Sequence, residues 1–310
     1  MIRPTISVVI SNYNHGHFLA EALAGVLDSP SPPDEVILVD DASEDQSLDL
    51  AKDFARRYPF LRVIANATNH GALEATNIGM RAATGTYVGL FNADNPVSPA
   101  LVPAVRRVLA THPGIGVVGC GAVIRRVDTG SERIYGFDIP GLTFDSDHVA
   151  VLAPQAVAEV YRRGYLWIAT AGALLRRDLI CELGGMRADL DWLSDWFAVH
   201  TLALRYGAAL VDRPFVLIRE DTDSYGRRAQ ADPSRINRTL DHLLDTLATR
   251  DFTDIRAVAR RAPILMLTPL RWPLLARLAH RPCDWDLAVP ALVQWLRWQL
   301  GGLVRPPPRT

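Results

Sequence analysis

The sequence predicts an α/β fold, a mostly parallel central sheet flanked by helices, with a helical C-terminal extension. Three observations predict it. The run Val36-Ile37-Leu38-Val39 reads as a strand buried on both faces, and it ends abruptly in Asp40-Asp41. Strand and helix patterns alternate with short links from Ile6 to Asp94, which implies right-handed crossovers between parallel strands. After about Ser224 only helical patterns remain, punctuated by Pro263, Pro269, Pro273, Pro282 and Pro290. These shifts divide the chain into a first unit over 1–225, with halves 1–98 and 99–225, and an extension over 226–310.

The elements follow in order. Residues 6–11 read as a strand, and 16–27 as a helix with Phe18, Leu19, Ala22, Leu23 and Val26 at helical spacing. Residues 36–40 form the second strand. Residues 46–58 form a helix opened by Ser43 or Asp45 as a cap, with Leu48, Ala51, Phe54 and Ala55 on one face. A strand at 61–65, a helix at 71–83 and a strand at 87–91 complete the first half. Beyond Asp94, helices are expected at 99–111, 149–163 and 195–206, and strands at 116–124, 171–175, 208–211 and 215–218.

Hydrophobic residues make up 49% of the 310 positions and the net charge is −1, so a sizeable core is available and no nucleic-acid partner is implied. Cys120, Cys181 and Cys283 are far apart, without metal spacing, and read as reduced core residues of a cytoplasmic protein. Met1-Ile2-Arg3-Pro4 runs straight into the first strand and leaves no room for a signal peptide.

The carboxyl ends of parallel strands are where ligands bind in open α/β sheets, and the polar residues collect there. Burying an unpaired carboxylate is costly, so Asp40 and Asp41 are expected where the chain surfaces, asking for donors or a cation. Ser11-Asn12-Tyr13-Asn14 ends the first strand with a ring, an amide and a hydroxyl, a set that suits a nucleobase or, equally, turn chemistry. Asn69-His70-Gly71 opens the third helix, whose N-terminus favours anions such as a diphosphate, and Asn77 lies further along it. Asn92-Ala93-Asp94-Asn95 ends the fourth strand in oxygen ligands suited to Mg²⁺ or Mn²⁺, or to Asx turns.

Taken together, residues 4–14, 35–47, 69–79 and 82–95 resemble the inverting family 2 glycosyltransferases of the GT-A nucleotide-sugar-binding fold, and 171–224 resemble them more loosely. The resemblance implies transfer of a sugar from a nucleotide-diphosphate donor, UDP or dTDP by family default, to a glycan or lipid-linked acceptor in cell-surface polysaccharide or glycolipid synthesis. It implies that Ser11 and Tyr13 frame the base, Asp41 hydrogen-bonds it and Asp40 positions base or ribose. Asn12, Gly71, Asn77, Asn92 and Ala93 complete the donor site. Asp94 takes the metal place of the family's D-x-D signature, of which the first Asp is here Asn92.

Ser194-Asp195-Trp196 stands where the family has Glu-Asp, which makes Asp195 the general base. An N-cap role for Asp195 is compatible with that. Trp192 and Trp196 flank it and suit either a sugar face or the core. Arg219 precedes a segment that lacks the metal-binding His of many relatives, leaving a phosphate contact or a salt bridge open to it on the acceptor side. Asn92, Ser194 and the missing His motivate a second reading, a degenerate relative that binds nucleotide sugar or glycan without turnover. A sugar-nucleotide pyrophosphorylase would need a Gly-rich basic loop after the first strand, and a dinucleotide dehydrogenase a G-x-G-x-x-G; neither is present.

Trp272, Trp285, Trp295 and Trp298 gather in the last forty or so residues, and 287–304 is almost continuously apolar. A spanning helix needs ~20 mostly apolar residues, so this segment falls short. Three roles stay open for it: peripheral contact at the inner face of the membrane, packing on the first unit, or a homodimer contact.

Overall fold

The structure, a computed structural model, describes residues 3–163, 166–221, 224–262, 264–265 and 271–300. The first half forms as its sequence predicts: β1 (Ile6–Asn12), α1 (Gly16–Leu27), β2 (Glu35–Asp40), α2 (Ser47–Arg57), β3 (Leu61–Ala65), α3 (Ala72–Ala82) and β4 (Tyr87–Asn92). Then follow α4 (Leu101–Thr111), β5 (Val117–Arg126), β6 (Glu132–Tyr135), β7 (Val149–Leu152), α5 (Pro154–Arg163), β8 (Leu174–Arg176) and α6 (Arg177–Glu182). A 3₁₀ turn (Ala188–Leu193) leads into α7 (Ser194–Tyr206) and β9 (Ala208–Glu220). The extension holds α8 (Tyr225–Gln230), α9 (Pro233–Ala248), α10 (Thr253–Ala259), α11 (Arg271–Ala279) and α12 (Trp285–Leu300).

Among the described residues the strands form one sheet in the order β3-β2-β1-β4-β8-β5-β9-β7, with β6 paired to β5. β1 to β4 run parallel, β5 and β9 run parallel to each other, and β6, β7 and β8 pair antiparallel with their neighbours. Side chains alternate across the sheet. Val9, Ile37, Val39, Val88 and Leu90 face a core shared with α3, α5, α7 and α9. Ile6, Val8, Ile10, Val36, Leu38, Tyr87 and Phe91 face the other, with α1 and α4. α3 lies so close to the sheet that a Cβ at Gly79 would meet Val9 Cγ1 at 2.3 Å, so only glycine fits there.

Four expectations change. The stretch 149–163 is a strand then a helix: β7 alternates buried and exposed residues on the edge of the sheet, and Pro154 opens α5. The two short strands at 208–218 are one strand, β9, irregular where its partner register jumps from Val211 to Pro214 and then to Val216. Proline has no N–H for the ladder, so the strand bulges there and resumes. The hairpin strand β6, half exposed and short, was not anticipated. Of the cysteines, Cys120 is a core residue but Cys181 and Cys283 are exposed.

The extension packs its apolar face onto the first unit: Ile236, Leu240, Leu243, Leu244 and Leu247 of α9 share one core with Leu190, Leu193 and Phe197. No helix among the described residues is long and apolar enough to cross a membrane. Trp272 and Trp285 are surface residues; the side chains of Trp295 and Trp298, and residues 301–304, lie outside the described set. Because Leu240 is fully buried, Leu240→Ala is expected to cost about 2–5 kcal/mol, read as a lower urea midpoint in equilibrium unfolding.

Candidate functional site

The strand order places β1 between β2 and β4, with Asn12 opposite Asp40 and Ser11 opposite Asn92, so the carboxyl ends of three strands converge. The two acids do not surface there. Asp40 and Asp41 are 1% and 2% exposed, and both are satisfied by donors that the folded chain brings to them. Asp40 accepts from the Asn12 amide at 2.8 Å and from the Ser43 backbone N–H at 3.0 Å. Asp41 accepts from the Asn66 amide at 2.7 Å, the His70 N–H at 3.0 Å and the Gly71 N–H at 2.8 Å. Gly71 makes this possible with φ of 87°, and nothing stands where its side chain would be, so the start of α3 is open to a ligand. The N-cap of α2 is Gln46, not Ser43 or Asp45; Asp45, one residue before it, accepts from the Ser47 N–H at 2.9 Å and from the Gly16 N–H at 2.8 Å.

Around this frame stand the other predicted donor residues. Tyr13 is 43% exposed at the end of β1, and the Ser11 hydroxyl donates to Asn92 Oδ1 at 3.1 Å. Ala93 is buried and its N–H is held by the Ser11 carbonyl at 3.1 Å. Asn12 Oδ1 and Asp94 Oδ1 are buried oxygens without a hydrogen-bond partner. Asn77 is differently placed: its amide donates to the Met186 carbonyl and accepts from the Met186 N–H, both at 2.8 Å, tying α3 to the turn before α7.

Arg219 reaches across from β9 to the loop after β4. It donates to the Asp94 carbonyl, pairs with Glu21 at 2.6 Å, and lies over the Phe18 ring at 4.5 Å from its centroid. Its backbone N–H donates to Asn95 Oδ1 at 3.0 Å. Phe18 and Glu21 carry no sequence signal for this contact, because both sit on an ordinary amphipathic helix. Burial pushes the Asp94 carboxyl up, against the pull of the charges on His15 and Arg219. Among the described residues no group of three or more His, Cys, Asp or Glu side chains converges. The donor set therefore fits a metal only if one carboxylate, with its unpartnered Oδ1, shares it with ligand oxygens, an arrangement that Mg²⁺ and Mn²⁺ accept.

The second constellation lies at the start of α7. Asp195 is the second residue of that helix, not its cap, and its carboxylate accepts from the Trp196 N–H at 2.6 Å. Burial raises its pKa above the ordinary carboxylate range, although bonds from Trp196 and the Thr170 side chain pull it down. Trp196 is buried and stacks on His200, whose ring burial holds neutral, with its pKa lowered to about 4. Trp192 is half-buried, and the indole N–H groups of both tryptophans are buried without a partner. Just before them Asp191 adopts φ 48° and ψ −131°, a sparsely populated conformation for a residue with a side chain. Its carboxylate is gripped by Tyr225 Oη of α8 and by Arg235 of α9, one bond measuring 2.6 Å. Asp191, Tyr225, Arg235, Thr170 and His200 are absent from the sequence-based site, since none forms a local motif.

Similarity to known proteins gives the family and the fold. Residues 7–167 match the profile of Glycosyl transferase family 2. The chain belongs to that family. The uncharacterized glycosyltransferase EpsJ of Bacillus subtilis is 36% identical over 118 residues, 38% of this chain. The match spans about a third of EpsJ, 34% of its length. The uncharacterized protein MT1568 of Mycobacterium tuberculosis is 24% identical over 230 residues, 69% of this chain and 71% of that one. The fold is shared with Staphylococcus aureus TarS 1–349, solved with UDP-GlcNAc, at TM-score 0.61 and 13% identity over 94% of this chain and 81% of that one. It is shared also with the mannosyltransferase PcManGT of Pyrobaculum calidifontis, solved with GDP-Man and Mn²⁺, at TM-score 0.55 and 20% identity over 96% of this chain and 81% of that one. The family 2 chain thus has the GT-A architecture its sequence resembles.

Cutting the grip on Asp191 tests whether the turn before α7 depends on the extension. Arg235→Ala should lower the melting temperature and cut any glycosyl transfer about 10-fold or more, with Arg235→Lys recovering only part, because the planar fork is lost.

Proposed function

We propose that this family 2 chain transfers a glycosyl group from a nucleoside-diphosphate sugar to an acceptor hydroxyl, with inversion. The observation that carries this is Asp195: a half-buried carboxylate at the start of a helix, with raised proton affinity, beside two tryptophans whose indole N–H groups lack partners. A base needs a pKa nearer the working pH than an ordinary carboxylate has, and burial supplies that shift.

On this reading the nucleotide lies over the carboxyl ends of β1, β2 and β4. Tyr13, with its exposed ring, stacks on the base, Ser11 and Asn12 line its edge, and the open start of α3 at Gly71 faces the diphosphate. Asp40 and Asp41 act through the loops they hold, because their oxygens already accept several protein donors. Asp94 would hold a divalent cation, Mn²⁺ or Mg²⁺, which when bound neutralises charge on the leaving diphosphate. Asn92 adds no charge there, and Arg219 holds the Asp94 loop in place through its carbonyl.

The acceptor hydroxyl gives its proton to the Asp195 carboxylate as its oxygen attacks the anomeric carbon. The bond from that carbon to the phosphate oxygen breaks, and the electron pair leaves with the nucleoside diphosphate. Trp192, half-buried beside Asp195, offers an apolar ring to a sugar, which suits a glycan or a lipid-linked glycan as acceptor, while Trp196 backs the site from the core. A UDP or dTDP donor is the reading for the base.

Asp195→Asn should leave donor binding unchanged and cut transfer at least ~10²-fold; comparable transfer by the variant would remove Asp195 from the base role. Since the base must be ionised and its pKa is raised, the acid limb of the rate profile should lie above the ordinary carboxylate range and vanish in this variant. Thermal shifts with UDP-, GDP- and dTDP-sugars, each with and without Mn²⁺, test the donor side. Ligand at about 100 times its dissociation constant should stabilise the fold by ~2.7 kcal/mol. The metal-dependent part of that shift should be lost in Asp94→Asn. A shift with no turnover on any acceptor would favour the binding-only reading instead.

A further inference from the structure

The last helix presents an apolar face that nothing among the described residues covers. Trp285, Val289, Leu292, Val293 and Leu296 follow one another at spacings of four, three, one and three residues, which puts all five on one side of α12. They are 55, 63, 46, 42 and 41% exposed. The opposite side is anchored: Leu287 is buried in the core, and Asp286 on the flank pairs with Arg256 and Arg260 of the α10 region. The orientation of the helix is therefore fixed, and its apolar stripe points outward.

Charge along the chain end is equally one-sided. Arg277 of α11 and Arg281 just beyond it are engaged by Asp241, Asp245 and Asp284. Beyond Asp286 the sequence contains Arg297, Arg305 and Arg309 and no acidic residue, in a chain whose net charge is −1. An outward apolar stripe in a segment whose only charges are positive is complementary to a surface that is apolar below and anionic above. At 16 residues α12 is roughly 24 Å long, shorter than the ~30 Å hydrocarbon core of a bilayer, so it suits lying in the headgroup plane and not crossing it.

We infer that α12 is a docking helix for an anionic lipid bilayer, with Trp285, Val289, Leu292, Val293 and Leu296 entering the boundary between headgroups and acyl chains. The inference does not rest on the catalytic reading and stands or falls separately from it. Docking would hold the site beside acceptors that carry a lipid.

The test is flotation of the full chain with extruded vesicles, either phosphatidylcholine alone or an equal mixture with phosphatidylglycerol, at low and high salt. The wild type should be recovered with the mixed vesicles about 10-fold more than with phosphatidylcholine alone, and less at high salt. The double variant Val289→Glu/Leu292→Glu should lose this recovery about 10-fold at an unchanged melting temperature, because both side chains are already exposed. Equal recovery with both vesicle types, no recovery with either, or full recovery of the double variant would each overturn the inference. So would sedimentation velocity showing a dimer that the double variant dissolves, in a wild type that ignores vesicles, since that would give the face to a second copy of the chain.

Discussion

Asp41 sits at the end of β2 with 2% of its surface exposed, and an ionised carboxylate in that position costs several kcal/mol unless donors surround it. The donors come from the segment after β3: the Asn66 amide and the N–H groups of His70 and Gly71. To deliver them the chain folds back over the end of β2, and Gly71 turns with a positive φ to begin α3. α3 then seats on Val9 and Val39 through Gly79, and its Asn77 clamps the backbone of Met186. One buried charge thus sets the loop at the end of β2, the helix behind it, and the attachment of the turn that leads to Asp195. Hydrogen bonds to charged groups are worth about 1.5–3 kcal/mol each, and removing one partner of a buried charge costs more than its net contribution.

The same carboxylates measure what the sequence makes legible. That Asp40 and Asp41 end a buried strand follows from the apolar run before them. That they stay inside does not, because their donors are mostly backbone N–H groups whose direction depends on loop geometry. The first half was legible because its strands are buried on both faces and spell continuous apolar runs. β6 and β7 are short, edge-like and half exposed, so no such run marks them. β9 was cut in two because Pro214 reads as a break, whereas the sheet absorbs it as a bulge. Asp94, Asp195 and the polar strand ends were legible as residue types at expected places. Their supports were not: Arg219 with Glu21 is separated by 198 positions and Asp191 with Arg235 by 44, and such pairings have no local signature.

The likeness to known proteins has the same asymmetry. The family profile covers residues 7–167, the carboxyl ends of β1, β2 and β4 and most of the sheet, and stops before α7. Neighbours at 13% and 20% identity share the architecture across more than nine-tenths of this chain. A fold can persist at such identity while the chemistry grafted on it changes. The 3₁₀ turn, α7 and the extension, residues 188–300, lie outside the stretch that the family profile matches.

At that junction strain and charge are matched. Holding Asp191 at φ 48° and ψ −131° costs on the order of 1–3 kcal/mol, and within the turn its carbonyl accepts from the Ser194 N–H. Further restraint comes from outside, through Arg235 and Tyr225, with the Arg235 guanidinium also lying over the Tyr225 ring at 4.7 Å from its centroid. These two residues belong to α8 and α9, and α9 is held by the core it shares with Leu190 and Leu193. The turn bearing Trp192 is thus braced by the extension, and Asp195 lies four residues beyond the strained position. In the proposed reaction the base is thus set by helices that lie outside the nucleotide-binding half altogether.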